Sequence, residues 1–354
     1  MPKPLSIPSA DTAAFEALAV RASRIGIVSH TRPDGDAVGS CLALKRYLEA
    51  RLGGAGKCRI LLDTDVPEAV RFLLSPAERQ ETLIFERDAD AVKAWAAGCD
   101  LFFILDLNTL SRTGGIEPLV AGSSAPRVLV DHHLYPELDR FALAFSETEI
   151  SSTCELLFQI LVRLPSCAGK ALPAGCPDPL LTGITTDTNN FANSVFPTTL
   201  ESVSALLEAG ADRESILEHL YNEYPERRIR LMGRLLDREL LITERGVALM
   251  VLDDETAGAY GILEGETEGF VNIPLAIDRV RMSIFLRQSG SEYRVSIRSK
   301  RGTSAQRLAT RYFAGGGHEL ASGGRIRLGG DLLTKDDVAA HVVRCTNEFL
   351  QDEA

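Results

Sequence analysis

Residues 101–106 read Leu-Phe-Phe-Ile-Leu-Asp, five apolar side chains in a row ended abruptly by a carboxylate. The figure recurs along the first half of the chain. Arg24-Ile-Gly-Ile-Val28 stops at Ser29-His30, Cys58 to Leu62 stops at Asp63, and Val128-Leu-Val130 stops at Asp131. A short unbroken apolar run fits a strand buried on both faces, and such strands belong to parallel sheets covered by helices. Between the first two runs, Asp36 to Leu52 places Val38, Cys41, Leu42, Leu44, Tyr47 and Leu48 at helical spacing. The expectation is an α/β fold with a doubly wound, mostly parallel sheet. Ligands of such sheets bind beyond the carboxyl ends of the strands. His30, Asp63, Asp106 and Asp131 are therefore expected around one cleft.

Downstream the pattern changes. Leu164 to Pro179 is a loop by its Pro and Gly content, and Leu180 to Thr186 reads as an apolar helix leading to Asp187. Thr198 to about Leu241 is helical with a break near Tyr224-Pro225. Strands then follow at Val247–Leu252, Val280–Leu286 and Tyr293–Ile297, a helix at Ser304–Phe313, a glycine run, a strand at Arg325–Leu328 and a last helix at Lys335–Leu350. This divides the chain into a catalytic α/β domain over 1–195, a helical connection over 196–243 and a second, smaller α/β domain over 244–354. A length of 354 residues is consistent with two domains.

Composition excludes several classes. With 45% hydrophobic and 25% charged residues the chain is neither disordered nor fibrous. A net charge of −11 argues against wrapping long duplex DNA. No apolar run approaches the roughly 20 residues of a membrane span, and the N-terminus lacks a signal-peptide core. Seven scattered cysteines without a CxxC pair indicate neither a zinc site nor a disulfide framework. The expected setting is the cytoplasm, without membrane partners.

Only six histidines occur, and four stand in unusual company. His30 opens His-Thr-Arg-Pro-Asp-Gly-Asp-Ala-Val-Gly-Ser, His132 and His133 follow Asp131, and His318 closes Gly-Gly-Gly-His. Pro33-Asp34-Gly35 is turn chemistry that can set His30, Asp34 and Asp36 around one point. Imidazole with carboxylates is a ligand mixture for Mn²⁺, Fe²⁺ or Zn²⁺. The plainer alternative makes Asp34 a turn former and Asp36 a helix cap. Adding Asp106, Asp131 and Asp187 converges five carboxylates, whose mutual repulsion bound cations relieve. That is the two-metal arrangement suited to displacement at phosphorus.

On these motifs the chain resembles the DHH/DHHA1 phosphoesterase family. The matching residues are His30-x-x-Pro33-Asp34-Gly35-Asp36-Ala37-x-Gly39-Ser40, the strand-end Asp106, Asp131-His132-His133, Thr186-Asp187-Thr188, Arg298-Ser299-Lys300, Gly315-Gly316-Gly317-His318 and Ala321-Ser322-Gly323. Within the family the similarity is greatest to the stand-alone bifunctional oligoribonuclease and 3′-phosphoadenosine-5′-phosphate (pAp) phosphatase branch. The resemblance implies that His30, Asp34 and Asp106 hold one metal and that Asp36, Asp106, His132 and Asp187 hold a second. It implies His133 as proton donor or phosphate ligand, with Asp131 orienting the histidines. Mn²⁺ is the implied metal, two ions per site, with Mg²⁺, Co²⁺ or Fe²⁺ as substitutes. Four positions depart from the family pattern: Leu107-Asn108 after Asp106, Asn189 where glycine is frequent, and Ala314 before the glycine run.

From Arg294 to Arg327 there are eight basic residues and one acid, Glu319, a net +7 that leaves the rest of the chain at −18. Gly315, Gly316 and Gly317 are expected to expose consecutive backbone N–H groups as an anion nest. Arg298, Ser299 and His318 are expected to hold a nucleotide phosphate or base, and Tyr312 and Phe313 to stack on bases. Arg32 and Arg112 lie in motif loops, where phosphate or a salt-bridge partner suits them equally. The expected substrates are short single-stranded RNA or DNA oligonucleotides and pAp. Alternatives are linear or cyclic dinucleotides of second-messenger turnover, or a non-catalytic nucleotide-binding regulator. A homodimer is compatible with this reading.

Overall fold

The apolar runs of the first half become the strands of one sheet. The structure, a computed structural model, describes residues 7–53, 56–263, 265–329 and 334–352. Its first sheet contains β1 (Ile25–Val28), β2 (Cys58–Leu62), β3 (Leu83–Ile84), β4 (Leu101–Leu105), β5 (Arg127–Asp131) and β6 (Leu143–Ser146). All pairs are parallel, in the order β3-β2-β1-β4-β5-β6. The chain steps outward from β1 to β2 and β3, then returns to β4 on the other side of β1. A crevice forms at that reversal, beyond the strand ends. His30 follows β1 and Asp106 follows β4, the two strands that flank it.

Successive residues of a strand face opposite layers, which is why β4 needs apolar residues throughout. Phe103 and Leu105 join the core on one face of the sheet, and Phe102 and Ile104 join the core on the other. On the first face, helix Gly35–Arg51 lies against helix Pro177–Asp187. Gly39 permits the close approach, since a Cβ there would stand 2.3 Å from the Pro179 carbonyl oxygen. Helix Pro177–Asp187 thus begins inside the stretch expected to be loop. Proline in a first helical turn lacks only an N–H that has no partner there, so Pro177 opens the helix.

The residues of the helical connection expected over 196–243 fall in two compact units. The chain divides into compact units Met1–Glu223 and Tyr224–Ala354. Helices Pro197–Glu208 and Arg213–Leu217 bury Leu206 and Ile216 in the first core, whereas helix Glu226–Arg234 buries Leu231 in a cluster with Met250 and Phe270. Pro225 stands at the N-cap of that last helix.

The second unit carries its own sheet, built from β7 (Leu241–Ile242), β8 (Val247–Leu252), β9 (Met282–Ser289), β10 (Glu292–Ser299), β11 (Gly316–His318) and β12 (Ala321–Arg327). The order is β11-β12-β10-β9-β8-β7, with β8 and β9 parallel and the other pairs antiparallel. Helices Ala305–Tyr312 and Lys335–Asp352 cover it, with Leu308 and Phe349 in the same buried cluster as Val295 and Ile297. Among the described residues no helix is long and apolar enough to cross a membrane. All seven cysteines are free and buried.

Candidate metal centre

Asp106 is the hub of the first unit's site. It is 2% exposed and has a φ of +61°, a left-handed conformation that is strained for a residue with a side chain. Its N–H donates to the Val130 carbonyl at 3.0 Å, which ties the end of β4 to the end of β5. The bend turns its carboxylate toward three histidines. Oδ2 lies 3.4 Å from His30 Nε2, and Oδ1 lies 3.7 Å from both His132 Nε2 and His133 Nδ1.

Two of the imidazoles are fixed through Nδ1. His30 Nδ1 is 2.9 Å from the Thr31 carbonyl, so it carries the proton and leaves Nε2 toward the carboxylates. His133 Nδ1 is 2.8 Å from Oδ1 of the fully buried Asp131. His132 Nε2 lies 3.4 Å from Asp187 Oδ2 and 4.0 Å from Asp36 Oδ2. His30 Nε2 lies 4.0 Å from Asp34 Oδ1.

The helix cap proves to be Asp34 rather than Asp36. Asp34 Oδ1 accepts the N–H groups of Asp36 and Ala37 at 3.0 and 3.1 Å, as an N-cap does. The Asp36 carboxylate is 1% exposed and points elsewhere, accepting the N–H groups of Thr153 and Cys154 at 2.7 and 2.8 Å. Those two residues open helix Thr153–Leu161. Sequence reading missed them. The usable signal was Ser152-Thr-Cys-Glu155, a capping pattern. Ser152 Oγ does accept the Glu155 N–H at 3.0 Å, but the buried Glu155 carboxylate turns to the Ser151 N–H at 3.0 Å and the Thr199 hydroxyl at 2.7 Å.

The charges are ill at ease with one another. Burial, with the neighbouring charges of Asp106 and Asp34, pushes the Asp36 carboxyl well above its ordinary range. Burial opposes the His30 cation, yet the Asp106 hydrogen bond and the Asp34 and Asp106 charges outweigh it and push His30 up to about 9. Burial would raise Asp106 as well, but His30 holds it below the usual carboxylate range. Burial and the His133 charge lower His132. Three sets of donor atoms, each within 4.8 Å of one another, share Asp106: His30 with Asp34, Asp36 with His132, and Asp131 with His133. Asp131 Oδ2 is buried without a hydrogen-bond partner. Hard carboxylate oxygens mixed with imidazole nitrogens, crowded and partly unpaired, fit divalent cations.

In the second unit Arg298, Ala321 and His318 stand opposite one another across β10, β12 and β11. Ser299 follows at the end of β10 with its hydroxyl buried. The glycine run departs from the expected nest. The Gly315 N–H donates to the Ala309 carbonyl at 3.2 Å, and Gly316–His318 is an exposed, extended edge strand. Phe313 is 1% exposed within the core and so cannot stack on a base. Two of the departures from the family pattern have a backbone meaning. Ala314 and Asn189 have φ values of +46° and +49°, the region that favours glycine. In the first unit Arg112 lies in the 3₁₀ turn Leu110–Ile116, and its charge acts on His30.

Residues 24–184 match the profile described as the DHH family, N-terminal domain. The chain is 32% identical over 306 residues to the bifunctional oligoribonuclease and PAP phosphatase NrnA of Thermus thermophilus, covering 86% of this chain and 84% of that one. It is 25% identical over 300 residues to the protein of the same name from Bacillus subtilis, covering 84% and 87%. The crystal structure of an exopolyphosphatase-related protein from Bacteroides fragilis superposes with a TM-score of 0.88 at 32% identity over 99% of both chains. RecJ of Thermus thermophilus, solved in complex with Mn²⁺, shares the fold, with a TM-score of 0.59 and 15% identity over 98% of this chain and 56% of that one.

Proposed function

Because the chain belongs to the DHH family of phosphoesterases, we propose that it hydrolyses short single-stranded oligonucleotides and pAp with Mn²⁺ as its metal, in the cytoplasm. The observation that carries this reading is the position of Asp106, whose two oxygens face separate sets of ligands. One cation is assigned to His30, Asp34 and Asp106, and the other to Asp36, Asp106, His132 and Asp187. When bound, such a pair lowers the pKa of a water and neutralises charge on phosphoryl oxygens.

The chain's own residues do the rest. Asp131 holds His133 through Nδ1, which assigns Nε2 to a phosphate oxygen or to the proton of the leaving group. The Thr153 and Cys154 N–H groups fix both oxygens of Asp36, so this ligand needs no reorganisation. Arg298, Ser299 and His318, with the glycine run Gly315, Gly316 and Gly317, are assigned to the non-reacting part of the nucleotide. Remote contacts of that kind supply binding energy that is used to orient the reacting phosphate.

The test is product analysis. Metal-stripped protein is supplied with Mn²⁺ and offered labelled RNAs of two to ten nucleotides, with pAp alongside. Mononucleotide release from the shortest RNAs and phosphate release from pAp are expected. Arg298→Ala should bind Mn²⁺ normally and lose about thirtyfold in kcat/KM on nucleotides, as for one charge-assisted phosphate contact. Inertness toward both substrate classes would refute the assignment.

A further inference from the structure

Asp63 directly follows β2 and is not among the residues assigned to the metals. Its carboxylate is nevertheless the meeting point of two loops. Oδ2 accepts the Thr31 hydroxyl at 2.6 Å, and Oδ1 accepts the Gly115 N–H at 2.8 Å. The same loops are joined directly by the Thr31 N–H, which donates to the Arg112 carbonyl at 2.7 Å. The next residue, Arg32, has a φ of +51° and gives its N–H to Thr64 Oγ1 at 2.8 Å. Gly114 has a φ of +60°, and a Cβ there would stand 2.1 Å from Asp63 Oδ2. The turn is thus shaped around the carboxylate, and only glycine admits it.

The clamp fixes two things relative to each other: the loop that begins at His30 and the backbone of Arg112. Arg112 is half-buried, and the Thr31 N–H that holds its carbonyl belongs to the residue next to His30. An arginine on a loop tied to the residue after His30 suits a phosphate oxyanion, which a guanidinium grips with a planar fork. We propose that Asp63 is a positioning residue that holds Arg112 ready for the substrate's phosphate. The proposal rests on the phosphoester-hydrolase reading above. Asp63 touches neither metal nor substrate; it removes the loop-ordering cost that binding would otherwise meet.

The test uses the full-length Mn²⁺-loaded protein with two substrates, pAp and bis-p-nitrophenyl phosphate. Asp63→Ala should raise KM about tenfold or more on both substrates, leave kcat within about threefold, and leave Mn²⁺ affinity by calorimetry at the parent's value. Asp63→Asn, which keeps the shape and one acceptor, should recover part of the loss. Thr31→Val deletes one arm of the clamp without disturbing the carboxylate, and should raise KM in the same direction if Asp63→Ala fails to fold. In the Arg112→Ala background, Asp63→Asn should add almost nothing, because both act through one contact. Unchanged KM in Asp63→Asn and Thr31→Val, loss of Mn²⁺, or full additivity with Arg112→Ala would each overturn the proposal. A parent active on bis-p-nitrophenyl phosphate but inert to pAp and dinucleotides would overturn the nucleotide reading and leave the clamp tested on the synthetic ester. A parent inert to all would overturn both.

Discussion

Thr153 donates its hydroxyl to Asp106 Oδ1 at 3.1 Å while its own N–H serves Asp36 at 2.7 Å. One residue at a helix start therefore holds two of the acidic groups assigned to the metals. Thr153→Val keeps the volume and the N–H but removes the hydroxyl. Without metal, the buried Asp106 oxygen loses a donor, and stability should fall by about 1–3 kcal/mol. A bound cation takes over that oxygen, so the loss should shrink in Mn²⁺. Thermal melts of parent and variant in chelator and in Mn²⁺ measure the two gaps. Equal gaps would show that the hydroxyl has no tie to the cation site.

His132 and His133 are neighbours with different assignments. His132 Nε2 faces Asp106, Asp187 and Asp36, whereas His133 Nδ1 is taken by Asp131. His132→Ala should lose bound Mn²⁺ by elemental analysis. His133→Ala should keep it and lose on the order of 10²–10⁴ in kcat, the range of a general acid–base group. The reverse pattern would exchange the two roles.

Much of this was legible in the sequence because burial on both faces forces a continuous apolar run. β1, β2, β4 and β5 announce themselves, and the polar residue that ends each run marks the crevice. Leu143–Ser146 is an edge strand with only Phe145 buried, and Leu83–Ile84 is two residues long, so neither leaves a pattern. Gly316–His318 is a strand only because β12 pairs with it; nothing in two glycines and a histidine favours extended structure. The motif residues could be named, but not that Asp34 would cap while Asp36 turned to another helix start. That choice depends on a helix start 117 residues away in sequence, where Thr153 supplies the donor.

Gly39 is a point where the two helices flanking the site approach closely, backbone to side-chain position. A Cβ there would lie 2.3 Å from the Pro179 carbonyl oxygen and 3.1 Å from Cys154 Sγ. Backbone cannot swing away as a flexible side chain does. Gly39→Ala should therefore cost about 1–3 kcal/mol, a fall of roughly 2–12 °C in the melting temperature for a unit of this size. Because Cys154 carries an N–H that holds Asp36, Mn²⁺ binding should weaken in the same variant. A melt and a Mn²⁺ titration indistinguishable from the parent's would refute the tight packing of these helices.

Glu78 provides a pH test away from the metals. Arg46 grips its carboxylate with Nε at 2.8 Å and Nη2 at 2.9 Å, and the Ser75 N–H adds a third bond at 2.8 Å. Arg46 also donates to the carbonyls of Leu73 and Gly175, so the pair ties helix Gly35–Arg51 to three other segments. Burial alone would raise the Glu78 carboxyl, but the Arg46 and Ser75 bonds outweigh it and hold it down at about 2, below its ordinary 4.5. A carboxyl whose folded pKa is depressed stabilises the fold when ionised, so the contribution is complete above about 4.5 and is lost as pH falls toward 2. Allowing for solvent screening, it is on the order of 2 kcal/mol at neutral pH. Glu78→Gln keeps the shape and cannot ionise. Urea unfolding at pH 7 should separate parent from variant by that amount, and at pH 3 the separation should shrink by at least about half. A separation that is constant or grows on acidification would mean that Glu78 contributes through its packing and not through its charge.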